Sequence, residues 1–172
     1  KADKQIIKAD SVWGEIRGLK TFAGNLYLLD AAKNMVWKYQ GTDLGFASAS
    51  AYLRSGGLDF SKVTSLAIDG YIYVLSTSGN IVRFASGYAD DFKITGLPDP
   101  LQNPTSLFVS DETANIYILD SGNTKVVVLD KKGGYSSQYM LPKNNANTLL
   151  VDETVKKVLL VSPDKIYSFD LR

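Results

Sequence analysis

Two residue types are missing from the 172-residue chain: cysteine and histidine. Without cysteine there is no disulfide, no thiol nucleophile and no thiolate metal site. Without histidine there is no imidazole base, no Ser–His–Asp relay and no His-ligated metal within this chain. Long apolar runs are missing too. None approaches the ~20 residues of a membrane span, so no direct membrane insertion is expected. Neither sign of charge is in excess: 19 Lys and Arg face 18 Asp and Glu, for a net charge of +1. A nucleic-acid partner normally demands a basic surplus and is not expected. Helical hydrophobic periodicity is absent almost everywhere; only LGFASASAYLRSGG (44–57) is irregular enough to hold a short helical turn. The start, KADKQ, has no initiating Met and no leader pattern, and reads as a domain excised from a longer protein. A single domain of this length buries roughly 70% of its extended surface, so no cofactor, metal or disulfide is expected to hold it together.

What the chain does contain is a repeat. GNLYLLDAAKNMVWKYQ (24–40), GYIYVLSTSGNIVRFAS (70–86), ANIYILDSGNTKVVVLD (114–130) and KKVLLVSPDKIYSFDLR (156–172) each read as strand, short polar turn, strand. Their anchors, Leu26, Ile72, Ile116 and Val158, are spaced by 46, 44 and 42 residues. Each copy follows another apolar segment, IRGLKTF, VTSLAID, PTSLFVS or ANTLLVD, in which Leu19, Leu66, Leu107 and Leu149 correspond. A further strand is expected after three copies, in ASAYL (49–53), DFKITGL (91–97) and SSQYML (136–141). The unit is thus four antiparallel strands in about 44 residues, the size of one propeller blade. The runs IYIL, VVVL, IYVL and VLLV are apolar in succession, which predicts strands covered on both faces, as when sheets stack around an axis. The expected fold is all-β: a propeller of four blade-like units, roughly 12–54, 63–97, 104–141 and 147–172. The last unit lacks a fourth strand, which KQIIKA (4–9) would supply. Two other arrangements are open: the chain is part of a larger ring, or two copies join head-to-tail through swapped terminal strands into an eight-bladed assembly.

One copy carries a more specific likeness. PTSLFVSDETANIYILDSGNTKVVVLDKKGGYSSQYML (104–141) resembles an NHL repeat through Pro104, Asp120, Ser121, Gly122, Asn123, Asp130 and Gly133. Thr124 and Lys125 stand where that family usually has His and Arg. The first copy keeps Asp30 and Asn34, whereas the second and fourth have Ser76 and Ser162 in place of the Asp. The resemblance implies a β-propeller built like NHL domains and carries no activity with it. Bacterial NHL-like propellers often form sensor parts of larger membrane-anchored proteins, so it also implies an extracytoplasmic place in such a protein. Some NHL domains bind RNA on a positive face. Here Lys33, Lys38, Arg83, Lys125, Lys131 and Lys132 would have to form it, without the His-Arg pair. WGEIRGLKTFAGNLYLLD (13–30) also resembles the opening of gluconolactonase-like propellers, which implies Glu15 as a divalent-metal ligand. The later inner strands offer Thr or Ser where further ligands would be wanted, and only Asn147 matches in kind. The competing reading pairs Glu15 with Arg17.

Rim residues are the remaining candidates. Asp30, Asp120, Ser121, Gly122, Asn123 and Lys125 would line a ligand face. The repeat favours a plainer role, with Asp capping the turn and Gly-Asn supplying its unusual backbone angles. Asp90–Asp91, Asp111–Glu112 and Asp152–Glu153 lack the spacing of a calcium loop and read as solvated turns. Tyr27, Tyr73, Tyr117 and Tyr167 read as packing between blades. Trp13, Phe60 and Tyr88 are the candidates for exposed aromatic contacts, being stiff and amphipathic or large. The expected function is a non-catalytic scaffold or sensor module recognising a protein or peptide through Trp13, Glu15, Arg17, Phe60, Tyr88, Asn123 and Lys125. A metal-dependent lactonase-like hydrolase and a self-associating structural propeller are the alternatives.

Overall fold

The computed structural model describes residues 10–54 and 59–172. The expected KQIIKA strand (4–9) lies outside the described residues. Four antiparallel sheets follow one another along the chain. The first runs β1 (Ile16–Phe22), β2 (Asn25–Asp30), β3 (Met35–Tyr39) and β6 (Ser50–Ala51). A small hairpin of β4 (Gly41–Thr42) and β5 (Gly45–Phe46) is inserted before β6. The second comprises β7 (Val63–Ile68), β8 (Ile72–Ser76), β9 (Ile81–Ala85) and β10 (Tyr88–Ala89). The third comprises β11 (Pro104–Phe108), β12 (Asn115–Asp120), β13 (Lys125–Asp130) and β14 (Tyr135–Met140). The fourth has three strands, β15 (Thr148–Asp152), β16 (Lys157–Val161) and β17 (Ile166–Asp170). The inner strands β1, β7, β11 and β15 are neighbours in that order. The protein is an all-β propeller of four blades, with no helix among the described residues.

The repeat holds at the level of register. The four anchors Leu26, Ile72, Ile116 and Val158 pair across their hairpins with Tyr39, Phe84, Leu129 and Phe169. Side chains alternate between faces along a strand, so equivalent positions meet equivalent neighbours. On one face of each later blade, the anchor and its alternates pack on the preceding blade: Ile72, Val74 and Phe84 on the first, Ile116, Ile118 and Leu129 on the second, Val158 and Leu160 on the third. On the other face, Tyr27, Leu29 and Val36 reach blade two, Tyr73, Leu75 and Ile81 reach blade three, and Tyr117, Leu119 and Val126 reach blade four. The core is therefore three apolar layers between four sheets. Each fully buried Leu, Ile, Phe or Val contributes about 1.5–3 kcal/mol from burial alone.

Three expectations about strands are corrected. The outermost strand of blade two is β10, not 91–97. Ser86 and Gly87 both have positive φ, 50° and 88°, and this two-residue turn folds Tyr88 straight back onto Ala85. The 91–97 segment instead buries Phe92 and sets Ile94 and Leu97 against the layer between blades two and three. Residues 44–54 form β5, β6 and coil rather than a helical turn. VLLV (158–161) is covered on one face only, because no sheet packs on the far side of blade four among the described residues: Val158 and Leu160 are buried while Leu159 is exposed.

Candidate functional site

One rim collects the chain entering each inner strand together with the second-to-third-strand turns. At three of the four blades the inner strand begins with a bulge, between Ile16 and Gly18, Val63 and Ser65, and Pro104 and Ser106. A bulge inserts one residue that leaves the ladder and re-aims its side chain. The residues so placed are Arg17, Thr64 and Thr105. Arg17 donates from Nη1 to the Ser61 carbonyl at 2.8 Å, linking blade one to the chain entering blade two, and from Nε to Glu15 Oε1 at 2.9 Å. Thr105 shares a 2.7 Å hydrogen bond with Ser121. Thr64 donates to the Leu75 carbonyl at 3.3 Å.

Directly after each bulge comes a residue that faces the next blade. Ser65 Oγ accepts from the Leu107 amide at 3.0 Å, and Ser106 Oγ accepts from the Leu149 amide at 3.1 Å. These hydroxyls occupy inner-strand places where a lactonase-like site would need metal ligands, and both are engaged by the neighbouring backbone. Gly18 is the equivalent in blade one, lying against Leu29 and Leu66.

The turn aspartates anchor the rim from beneath. Asp30 is fully buried and accepts from the amides of Gly14 (2.7 Å), Glu15 (2.9 Å) and Lys33 (3.1 Å) and from Trp37 Nε1 (2.9 Å). Burial pushes its carboxyl up, but those four donors outweigh it and hold the pKa below the ordinary value. Asp120, also fully buried, accepts from the Gln102 amide at 2.8 Å and Asn123 Nδ2 at 2.7 Å. The capping role expected for these residues is what the geometry shows. The turn angles arise differently from the expectation: the left-handed residues are Asn34 and Thr124, with φ of 49° and 52°. Gly122 is needed for space, since a Cβ there would meet the Gln102 carbonyl oxygen at 2.4 Å.

Six of the seven candidate residues belong to this end of the blades. Glu15 and Arg17 are exposed and paired with each other. Trp13 is half-buried, donating from Nε1 to Tyr39 Oη at 2.6 Å with its ring edge-on to that tyrosine. Asn123 is committed to Asp120 and to the Pro100 carbonyl. Phe60 is not an exposed contact: it is 2% exposed, packed between blades one and two, its amide held by Asn34 Oδ1 at 2.8 Å. Lys125 is likewise 3% exposed, with Nζ 4.0 Å from Asp99. Tyr88 lies at the opposite end of its blade, exposed and beneath the Arg54 guanidinium.

The opposite rim is tied by charged clamps between blades. Glu153 of blade four accepts from the Ala114 amide (2.7 Å), the Asn115 amide and side chain (both 3.2 Å) and Tyr117 Oη (2.7 Å) in blade three. Its carboxyl is pushed up by burial and more strongly held down by those donors, so it stays below the ordinary range. The Asp152–Glu153 pair is thus only half a solvated turn. Lys131 of blade three donates to Asp69 of blade two at 2.7 Å and to the Ser110 carbonyl at 2.8 Å. Arg83 lies between the Tyr71 and Phe92 rings, at 4.6 and 4.9 Å, and pairs with Asp90. Lys125 is therefore buried, and the half-buried Arg83 and Lys131 are engaged by partners within the chain. At the perimeter, a groove of about 800 Å³ separates β14 from β17, lined by Gln138, Tyr139, Met140, Tyr167, Phe169 and Arg172. Gln138 Oε1 in its wall is buried without a hydrogen-bond partner among the described residues.

Sequence reasoning missed Thr64 and Thr105, and it read Glu153 as part of a solvated turn rather than as a clamp between blades. The first two did leave a trace, the Thr-Ser pair before Leu66 and Leu107. Glu153 left none, since its partners lie 36–39 residues away.

No protein-family model and no curated protein sequence matches the chain. Solved structures do. A computationally designed protein, Ika4, superposes with a TM-score of 0.63 at 12% identity, over 99% of this chain and 100% of its own. Hydrazine synthase of Kuenenia stuttgartiensis gives 0.64 at 10% identity, over 96% of this chain and 49% of its own. A chain of the nidogen–laminin complex gives 0.57 at 14% identity, over 79% and 54%. The chain spans about half the length of the last two. At these identities the likeness is one of fold.

Proposed function

We propose that the chain is a non-catalytic recognition module that holds a protein or peptide partner on the bulged rim. The observation that carries this reading is the set of three bulges, which aim Arg17, Thr64 and Thr105 from three consecutive blades toward the same end. Exposed Glu15 and half-buried Trp13 and Ser121 flank them. The rim offers exposed charges of both signs (Arg17, Lys33 and Lys62 with Glu15, Asp59 and Asp99), hydroxyls and an indole: groups that bind a polypeptide through hydrogen bonds, ion pairs and stacking. Glu15 is engaged by Arg17, which favours recognition over metal chemistry. That such a module serves as the sensing part of a larger protein belongs to the same proposal.

The test begins with a random-peptide display library panned on the intact chain. Selected peptides should bind the chain saturably and lose about tenfold or more in affinity on Arg17→Ala combined with Thr105→Ala, the scale of one lost charge-assisted hydrogen bond. Arg17 is exposed and Thr105 half-buried with one hydrogen bond to Ser121, so melting should fall by no more than the loss of that bond and a surface ion pair. Peptides that bind the variant as tightly as the parent would remove the rim from consideration. Calcium- or zinc-dependent turnover of lactones or aryl esters would replace this reading with a hydrolase.

A further inference from the structure

The equivalence of the blades leaves two faces over. In the three internal layers, an outgoing face meets an incoming one. The outgoing positions are Tyr27, Leu29 and Val36, then Tyr73, Leu75 and Ile81, then Tyr117, Leu119 and Val126, all buried. Their counterparts in blade four, by the same hairpin pairing, are Leu159, Val161 and Ile166. Leu159 is 38% exposed, Ile166 69%, and Leu150 of the inner strand beside them 41%. At blade one the incoming positions Leu26, Leu28 and Tyr39 are buried, with Trp13, Ile16 and Trp37 of the same blade packed against them, and the opening lies at Leu19. Leu19, equivalent to the buried Leu66 and Leu107, is 59% exposed. Around it lie Leu26, Leu28, Tyr39, Ile16, Trp37 and Trp13, a cluster that includes no residue of another blade among the described residues.

A polar mark accompanies the apolar one. Ser65 and Ser106 each accept from the leucine amide of the next inner strand, Leu107 and Leu149. The next hydroxyl in that series is Thr148, exposed, its Oγ1 donating to the adjacent Asn147 Oδ1 among the described residues. The next leucine amide in the series is that of Leu19.

From these equivalences we infer that the outgoing face of blade four docks on the incoming face of blade one in a second copy of this chain. The surface that fits Leu150, Leu159, Val161 and Ile166 is described three times within the molecule itself, and the chain carries one unused example of it. Leu19 and Trp13 of the second copy enter the layer as Leu66 and Phe60 do, and Thr148 Oγ1 accepts from the Leu19 amide. The interface is head-to-tail, so two copies related by a twofold axis form it twice and close an eight-bladed ring without leaving either face exposed. This surface is separate from the bulged rim, and the inference stands independently of the proposed function.

Light scattering on the eluting intact chain should give twice 18.8 kDa, falling toward 18.8 kDa on strong dilution. Leu159→Asp with Ile166→Asp should give the monomer at every concentration, with an unchanged far-ultraviolet spectrum because these side chains lie outside the three internal layers. Leu19→Asp should do the same from the other face. Mixing the two variants should restore a 1:1 complex, since one interface then has both faces intact; a face that pairs with itself would not be rescued. A parent chain that is monomeric throughout, whether open or closed on itself, overturns the inference. So does a dimer that survives both sets of substitutions, or variants that fail to complement.

Discussion

Asp30→Ala should lower folding stability by about 3–4 kcal/mol, read from urea unfolding at neutral pH. The side chain is fully buried and accepts four hydrogen bonds, from three backbone amides and the Trp37 indole. Alanine leaves those donors unpartnered in a place water does not reach. Asp30→Asn keeps one acceptor oxygen and should recover part of the loss. The effect has a pH signature. The folded carboxyl titrates below its ordinary value of 3.8, so its contribution is complete above that value and fades as pH falls through the folded pKa. The gap between parent and Asp30→Ala should therefore be widest at neutral pH and narrow below about pH 4. A gap independent of pH would mean that the carboxylate's charge is not what the turn uses.

Glu153→Ala is expected to cost about 2–3 kcal/mol. Its carboxylate spans from blade four to blade three and meets Tyr117 Oη, Ala114 N and both nitrogens of Asn115. The Tyr117 ring is buried, so the hydroxyl left behind has little access to water, whereas the Ala114 amide is rehydrated readily. That difference keeps the cost below that of Asp30. The carboxyl is held below its ordinary value of 4.5, so this clamp too is complete above that pH and lost beneath it. Glu153→Gln keeps one acceptor oxygen, so it should retain either the Ala114 bond or the bonds that Asn115 and Tyr117 give to the other oxygen, and remove the acid dependence. If Glu153→Ala unfolds like the parent, the contact with blade three contributes nothing to stability.

The architecture was readable because it repeats. Anchors at fixed intervals, each followed by a polar turn and a second apolar run, specify the hairpin at positions 26, 72, 116 and 158, and the structure pairs all four in the same register. The roles of Asp30 and Asp120 followed from the same local grammar. What did not show in the sequence is whatever depends on a neighbouring blade. Phe60 looks like any aromatic before a strand until blade one is seen to cover it. Lys125 reads as a rim cation, yet the backbone of its strand places it inside. The bulges at Arg17, Thr64 and Thr105 add a residue to one strand without altering its apolar pattern, so periodicity is blind to them. The strand at Tyr88–Ala89 does not show in the sequence because the two-residue turn at Ser86–Gly87 lacks the usual Asn-Gly signature.

Layers that touch only their neighbours make the molecule nearly one-dimensional. Within one copy blades two and three are held from both sides; among the described residues blade four is held from one. In a single copy, as in the monomeric variant Leu159→Asp with Ile166→Asp, opening should accordingly fray from β17 inward. Amide hydrogen exchange should be slowest in β8, β12 and β13, faster in β16 and fastest in β17, giving a gradient along the chain rather than one uniform protection.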